Sequence, residues 1–481
     1  MTLYLWAKAR GENQQHPTHP LHYHSLDVAA VAARLLDTDT ALQAKLERRF
    51  NTTFRAIRTP LLSLVALHDV GKSATGFQAI AGEEFWPSEL GAYPGKSPYD
   101  HAEGGAQLLT KSVKTTLFGD MEPEARNVLI FASTYHHGQP LDRRNGATKL
   151  GWDDPTRADA LITELLSAIN PDGEEFPDIS EADANSVSWL LSGLINLADW
   201  VGSDTTHFPY WPATLSAADY WVTVAQPNAR RAVTELGLAP QPVEQSPSWE
   251  ALFPGWEPSP VQRMCADMPL PDEPCLVIIE DVTGAGKTEA SLILTARLME
   301  RHGHRGAFFG LPTMATSSAM YSRMAQKYRG LYEPEAEPSL VLSHGRAALN
   351  EEFRASVWPG NGPAACRKFF ADNRKCGSLA DVGVGTVDQA LLSVLPSRHA
   401  TLRQFGLSRQ VLVLDEVHAY DAYMSREIER LVEFQASHGG SVVLLSATLP
   451  QCVKERLASA YCGSAVTLSA GEYPLVTVVS K

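Results

Sequence analysis

Up to about residue 210, apolar positions recur at helical spacing over helix-length stretches. SLDVAAVAARLL, LLSLVALHDVG, NVLIFASTYHHG and VSWLLSGLINLADWVGSD each carry an apolar face, and two of them run up to a glycine, Gly71 and Gly138. From Cys275 the pattern changes. Short apolar runs, CLVIIE, GAFFGLP, VLVLDEV and SVVLLSAT, alternate with helix-like segments such as KTEASLILTARLMERH. That alternation predicts a parallel sheet covered by helices, with ligands at the carboxyl ends of its strands. Between the two patterns lies a proline-rich stretch, AQPNARRAVTELGLAPQPVEQSPSWEALFPGWEPSP, which reads as a connector. The expected organisation is multidomain: an all-α domain over 1–225, a connecting segment over 226–255, and an α/β domain with a mainly parallel sheet over 256–481.

Composition narrows this picture. The 481 residues exceed one ordinary domain, and 44% hydrophobic with 20% charged content suits globular cores. No apolar run approaches the roughly 18 residues of a membrane span, and MTLYLWAKARGENQQ lacks the apolar core of a secretory signal. A cytoplasmic protein with no membrane partner is expected. The six cysteines form no CxxC pair, so buried reduced thiols are expected instead of a zinc ribbon or disulfides. A net charge of -14 excludes wholesale coating of nucleic acid and leaves only local contacts. Two stretches mix cations with Phe, RRFNTTFRAIR (48–58) and RKFFADNRK (367–375), a composition that suits single strands, though solvated helix faces look similar.

The sharpest local chemistry is in the second half. CLVIIE leads through DVTGAGKTEA into a helix, and the loop Thr283, Gly284, Ala285, Gly286 can present backbone N–H groups to phosphate oxygens. Lys287 would reach the terminal phosphates and Thr288 would hold magnesium. Asp281 stands where Gly or Ala is usual, and would weaken nucleotide binding unless its carboxylate points away. In VLVLDEVHAYD, Asp415 can bind magnesium through water and Glu416 can orient the attacking water. ATP and magnesium are the expected cofactors here. An acidic pair heading a surface helix is the alternative, and the SVVLLSATLP that follows weighs against it.

In the first half, histidines and aspartates gather near helix ends: His24, the His68–Asp69 dyad, His101, His136, His137 and Asp199. A His-Asp pair alone is more often structural than ligating. Together, neutral imidazoles and carboxylates suit a borderline divalent transition metal, and a shared Asp can bridge two ions. His16, His19 and His22 are expected at the surface.

The order Gln262, DVTGAGKT, GLPTMATSSAM, VGTVDQ, DEVH, SATLP resembles a superfamily 2 helicase across about 250–450, and His, His-Asp, His, His-His, Asp resembles an HD phosphohydrolase domain. Joined, and with HPLHYHSLDVAAVA, HDVGK, ADWVGSD, LSHGRAAL and DEVHAYDAYM, they resemble the CRISPR-associated helicase-nucleases of type I systems over nearly the whole chain. The resemblance implies an HD nuclease domain followed by a RecA-like lobe. It implies two divalent ions, manganese, iron, cobalt or nickel, one held by His24, His68, Asp69 and Asp199 and the other by Asp69, His101, His136 and His137. It places Lys72 and Ser203 at the scissile phosphate, Gln262 at adenine, Thr313, Thr316 and Thr386 near a nucleic-acid backbone, and His418 between the nucleotide site and SATLP. Ser203 follows Asp199 by four residues, so on a helix both face one side.

The implied activity is metal-dependent cleavage of single-stranded DNA, coupled in the family to ATP-driven 3′-5′ unwinding of DNA opened by a CRISPR surveillance (Cascade) complex. Only 481 − 450 = 31 residues follow Pro450, too few for a second RecA-like lobe. That leaves a fragment, a shortened form, or a partner lobe on a separate polypeptide, with weak ATP binding and slow hydrolysis expected of the chain alone. Two competing readings are an HD phosphohydrolase acting on nucleotides and a non-catalytic protein that only docks on the CRISPR complex.

Overall fold

In a computed structural model of the chain, residues 4–9, 15–112, 117–136, 150–151, 154–357, 365–371, 376–469 and 471–481 are described. They fall into two compact units, Met1–Glu235 and Leu236–Lys481. The proline-rich stretch is shared between them. Gln226–Glu235 is a helix of the first unit that packs on the Leu21–Thr38 helix, whereas Leu236 onward belongs to the second.

The first unit is helical, with one addition: Trp6–Ala9 and Thr18–Pro20 pair as a short antiparallel ribbon. The Leu21–Thr38 helix is buried along most of its length, because neighbours cover it on several sides, among them the Phe54–Ala66 and Glu181–Gly202 helices. Close approach depends on small residues at two points. A Cβ on Gly71 would lie 1.9 Å from the carbonyl oxygen of His101, so the His101–Ser112 helix packs directly on the backbone of the Val70–Ser73 turn. A Cβ on Gly202 would lie 3.1 Å from the Val28 side chain, which sets the end of the Glu181–Gly202 helix against the helix carrying His24.

The second unit holds a seven-stranded sheet in the order Leu340–Ser343, Val382–Thr386, Gly306–Leu311, Gln410–Leu414, Val442–Ser446, Cys275–Glu280, Leu475–Ser480. All pairings are parallel except the last, where Leu475–Ser480 runs antiparallel to Cys275–Glu280. Cys275–Glu280, Gln410–Leu414 and Val442–Ser446 are buried throughout, as strands covered on both faces must be. Their parallel register brings the loops after Glu280, Leu414 and Ser446 to one edge of the sheet, where ligands of such sheets bind. Cys265, Cys275, Cys366 and Cys376 are buried as expected, and burial pushes the first three thiols up to about 12. Cys452 departs from the expectation and is exposed.

Candidate metal centre and nucleotide site

Four side chains from three helical segments meet inside the first unit. His24 comes from the first turn of Leu21–Thr38, His68 and Asp69 from the turn after Phe54–Ala66, and Asp199 from the last turn of Glu181–Gly202. One ligand atom from each lies within 4.8 Å of the others, and all four residues are buried. His24 Nε2 stands 3.3 Å from Asp69 Oδ2 and 3.2 Å from Asp199 Oδ1, while His68 Nε2 stands 3.3 Å from Asp69 Oδ2. The other oxygen, Asp69 Oδ1, faces His101 Nε2 at 3.7 Å. His136 Nε2 lies 4.0 Å from Asp199 Oδ2, and its ring centroid is 4.9 Å from that of His68. His137 lies outside the described residues.

Backbone contacts select the ring nitrogens that face inward. His68 Nδ1 donates to the Val65 carbonyl at 2.9 Å and His136 Nδ1 to that of Ser133 at 2.8 Å, so Nε2 of each faces the cluster. Burial alone would raise both carboxyls. For Asp69 the Lys72 ammonium, His68 and His24 outweigh it, and for Asp199 Lys8 and His24 do, so both carboxyls stay well below the usual range. Burial, with the Lys8 charge, pushes the His24 imidazolium down. Carboxylates beside imidazoles are the donor set of a transition-metal site. Both ring nitrogens of His24, and Nε2 of His68, are buried without a hydrogen-bond partner. Buried polar atoms are ordinarily satisfied, so this gap fits a cation.

Lys72 is buried against the Asp69 carboxylate, with its ammonium 5.5 Å from the Phe77 ring centroid. Ser203 Oγ donates to Asp199 Oδ1 at 3.0 Å. Two participants escaped sequence reading. Gln78 is buried and joins the Trp6 backbone to the Lys72 carbonyl, and Lys8 supplies the largest of the charges acting on Asp199. Neither lies in a motif, and only the pairing of the ribbon reveals them.

Two expectations require correction. His19 and His22 are buried, not at the surface: His19 Nε2 meets Asp27 Oδ2 at 2.9 Å, and its ring stacks on Tyr210. Burial, aided by His19, lowers the His22 imidazolium to about 4. The patch 48–58 does not offer rings for stacking, because Phe50 and Phe54 are buried, while Arg49 pairs with Asp183 and Arg58 with Asp37. In the second patch Phe370 is buried and Arg367 pairs with Glu337; residues 372–375 lie outside the described residues.

In the second unit, Gly284 (φ 86°) and Gly286 (φ 84°) take the left-handed conformation that favours glycine. Lys287 opens the Lys287–His302 helix, and its Nζ donates to the carbonyls of Asp281 (2.7 Å) and Val282 (3.0 Å). Asp281 Oδ1 accepts from the Val282 N–H at 2.8 Å, which ties this carboxylate to its own loop. Thr283 and Ala285 lie in the same loop, and Thr288 Oγ1 accepts from Arg323 at 3.4 Å. Gln262 accepts from the Ser259 N–H and donates to the Gly286 carbonyl, so it braces the loop. Burial, then the Glu416 charge, raises the Asp415 carboxyl; Glu416 itself has φ 52°. A His418 ring nitrogen lies 3.0 Å from Ser446 Oγ, a direct link from the acidic pair to the neighbouring strand. Thr313 and Thr316 cap each other at a helix start and are exposed, whereas Thr386 is buried.

Fold and sites together define a two-domain protein, a helical HD domain followed by a RecA-like lobe with a mostly parallel sheet. Residues 6–208 match the model "Cas3, HD domain" and residues 259–456 match "DEAD/DEAH box helicase". Across both domains the chain is similar to the Cas3 CRISPR-associated nuclease/helicases. It is 31% identical to the CRISPR-associated endonuclease/helicase Cas3 of Escherichia coli K12 over 95% of the chain and 55% of that protein. It is 32% identical to that of Thermus thermophilus over 100% of the chain and 53% of the relative. Among solved structures, T. fusca Cas3 with ADP superposes with a TM-score of 0.84 at 28% identity, covering 99% of this chain and 55% of that one. A chain of a CRISPR RNA-guided surveillance complex, pre-nicking, gives 0.68 at 25% identity, covering 99% and 52%. The chain thus spans about half the length of the curated relatives it matches. Among the described residues no helix is long and apolar enough to cross a membrane.

Proposed function

We propose that the first domain is a metal-dependent nuclease that cleaves single-stranded DNA, and that the second binds ATP and magnesium as one lobe of a 3′-5′ translocating motor. The observation that carries the reading is the convergence of His24, His68, Asp69 and Asp199 on one buried point. These four would hold one divalent ion. Asp69, offering its second oxygen toward His101, would share a second ion with His101, His136 and His137. Divalent cations bound there would supply charge neutralisation for a phosphodiester and a water acidic enough to ionise near neutral pH.

The remaining steps belong to the protein. Val65 and Ser133 carbonyls accept from Nδ1 of His68 and His136 and so turn Nε2 of each ring inward. Lys72 lies beside Asp69, where its ammonium would meet a non-bridging phosphate oxygen. Ser203 orients the Asp199 carboxylate through its hydrogen bond. In the second domain Lys287 would exchange the Asp281 and Val282 carbonyls for phosphate oxygens, with Thr288 and Asp415 at the magnesium and Glu416 at the attacking water. Gln262 would read adenine from its place beside Gly286. A surveillance complex is the proposed source of the DNA, on the strength of the likeness to a chain of such an assembly.

The test measures divalent-metal content beside cleavage of a labelled single strand, a duplex and deoxynucleoside triphosphates, with and without ATP. Cleavage of the single strand that depends on manganese, cobalt or nickel is expected. Preferred hydrolysis of the nucleotides would favour a nucleotide phosphohydrolase instead, and intact metal binding with no hydrolysis of any substrate would favour a docking protein.

A further inference from the structure

We propose that Phe77 is a positioning residue of the metal centre, whose ring holds the Lys72 ammonium and the His101 imidazole beside Asp69. This rests on the nuclease reading above. The short Thr75–Gln78 helix inverts the usual order of burial, for Gln78 is fully buried while the phenyl beside it is only half-buried. The Gln78 carboxamide accepts from the Trp6 N–H at 3.2 Å and donates to the Trp6 carbonyl at 2.9 Å and the Lys72 carbonyl at 2.7 Å. Those three bonds satisfy the buried amide and fix the rotation of the segment, which turns Phe77 toward the centre. Its ring centroid lies 5.6 Å from that of His101, at an interplanar angle of 63°, and 5.5 Å from the Lys72 ammonium. Trp6 backs it, with centroids 5.1 Å apart.

Lys72 and His101 are thus each held from two directions. Lys72 pairs with Asp69 Oδ2 and His101 Nε2 faces Asp69 Oδ1 at 3.7 Å, while the same phenyl touches both. The two holds respond differently to a cation. A divalent ion at Asp69 competes with the ammonium for the carboxylate and repels it, whereas the attraction of the ring for a cation comes from its own quadrupole and does not depend on that carboxylate. Phe77 would therefore keep the ammonium at the centre, within reach of an anionic diester, when the carboxylate no longer can. On His101 the edge contact limits rotation of the imidazole, which sets the direction of Nε2. The His101 side chain is 23% exposed, against 1% for Asp69 and 8% for Lys72, so its orientation depends more on this neighbour than on surrounding packing.

Phe77→Leu and Phe77→Tyr in the full chain separate this role from a packing one. Leu keeps an apolar contact for Trp6 but has no ring face, and Tyr keeps the ring. Mn2+ is titrated into metal-free protein, and cleavage of a labelled single strand is followed at saturating Mn2+. His101 belongs to only one of the two proposed ion sites, so Phe77→Leu is expected to weaken one Mn2+ step roughly tenfold, the scale of outer-shell partners, and to leave the other unchanged. KM for the strand should rise about fivefold, the scale of one cation–π contact on Lys72, with a smaller change in kcat. Phe77→Tyr should restore both values. Unchanged Mn2+ steps and KM in Phe77→Leu would overturn the proposal, as would equal weakening of both steps with a lower melting temperature, which marks a core-packing role. A wild-type chain that binds fewer than two Mn2+, or cleaves no strand, would instead overturn the nuclease reading itself, in an arm that involves no variant.

Discussion

The two candidate sites differ in how they are built and in how complete they are. The nucleotide loop is made of consecutive residues, and its key groups are already satisfied: Lys287 bonds the carbonyls of Asp281 and Val282, Asp281 bonds Val282, and Gln262 bonds Gly286. The metal centre draws on positions from 24 to 199, and it leaves ring nitrogens of His24 and His68 buried without partners. A loop that satisfies itself must exchange bonds when ligand arrives, so binding gains only the difference. A centre held with orphaned donors has its cost already met by the surrounding fold, so the ligand receives most of the interaction.

That contrast can be broken from either side. The largest effect is expected for Asp69→Ala, which removes the carboxylate proposed to serve both ions. DNA cleavage should fall by more than about 100-fold, since even outer-shell partners of metal ligands reach that scale, while ATP binding is retained. Full nuclease activity in Asp69→Ala, measured in clean metal preparations, would sink the assignment. Lys287→Ala is the mirror test: nucleotide affinity should drop roughly 10-fold or more, with cleavage of a short single strand unaffected. Titration of a fluorescent ATP analogue beside a gel assay reads both, and loss of both activities together would deny that the sites are built independently.

Gly71→Ala tests the packing that supports the metal centre. The added methyl would meet the His101 carbonyl, and overpacking of this kind costs about 1–3 kcal/mol. Urea unfolding should show that loss in the first unit, together with weakened Mn2+ binding; an unperturbed unfolding curve would mean the two backbones part easily. The smallest effect concerns pH and the second unit. Burial lowers the His302 imidazolium, whose ring nitrogens meet Ser441 Oγ and the Pro271 carbonyl. A depressed folded value means the unfolded chain binds the proton first, so this stability is full above about pH 6.5 and lost as pH falls below it. His302→Gln should flatten the acid slope of the second unit between pH 7 and 5, and an unchanged slope would show that other groups set it.

Much of the second unit was legible because its chemistry is local. A strand, a glycine-rich turn and a helix N-terminus lie next to each other in the chain, and the buried strands announce themselves as unbroken apolar runs. The helical periodicity of the first unit was equally legible, but the helix expected to run up to Gly71 ends at Ala66, and Gly71 lies in the Val70–Ser73 turn beyond it; Gly138 lies outside the described residues. The ribbon was not, because Trp6–Ala9 and Thr18–Pro20 are too short for alternation to be seen.

By itself the sequence determined the class of each half, the motif order, and which residue types were present to bind phosphate or cation. Tertiary structure decided which surfaces those residues face: that His19 and His22 turn inward, that Phe50 and Phe54 serve the core, and that Asp69 offers one oxygen to His24 and the other to His101. The reason is physical. Periodicity reports the state of one element, whereas a side chain's partner is set by the packing of elements distant in the chain, and an imidazole reads the same in water, against an aspartate or at an ion.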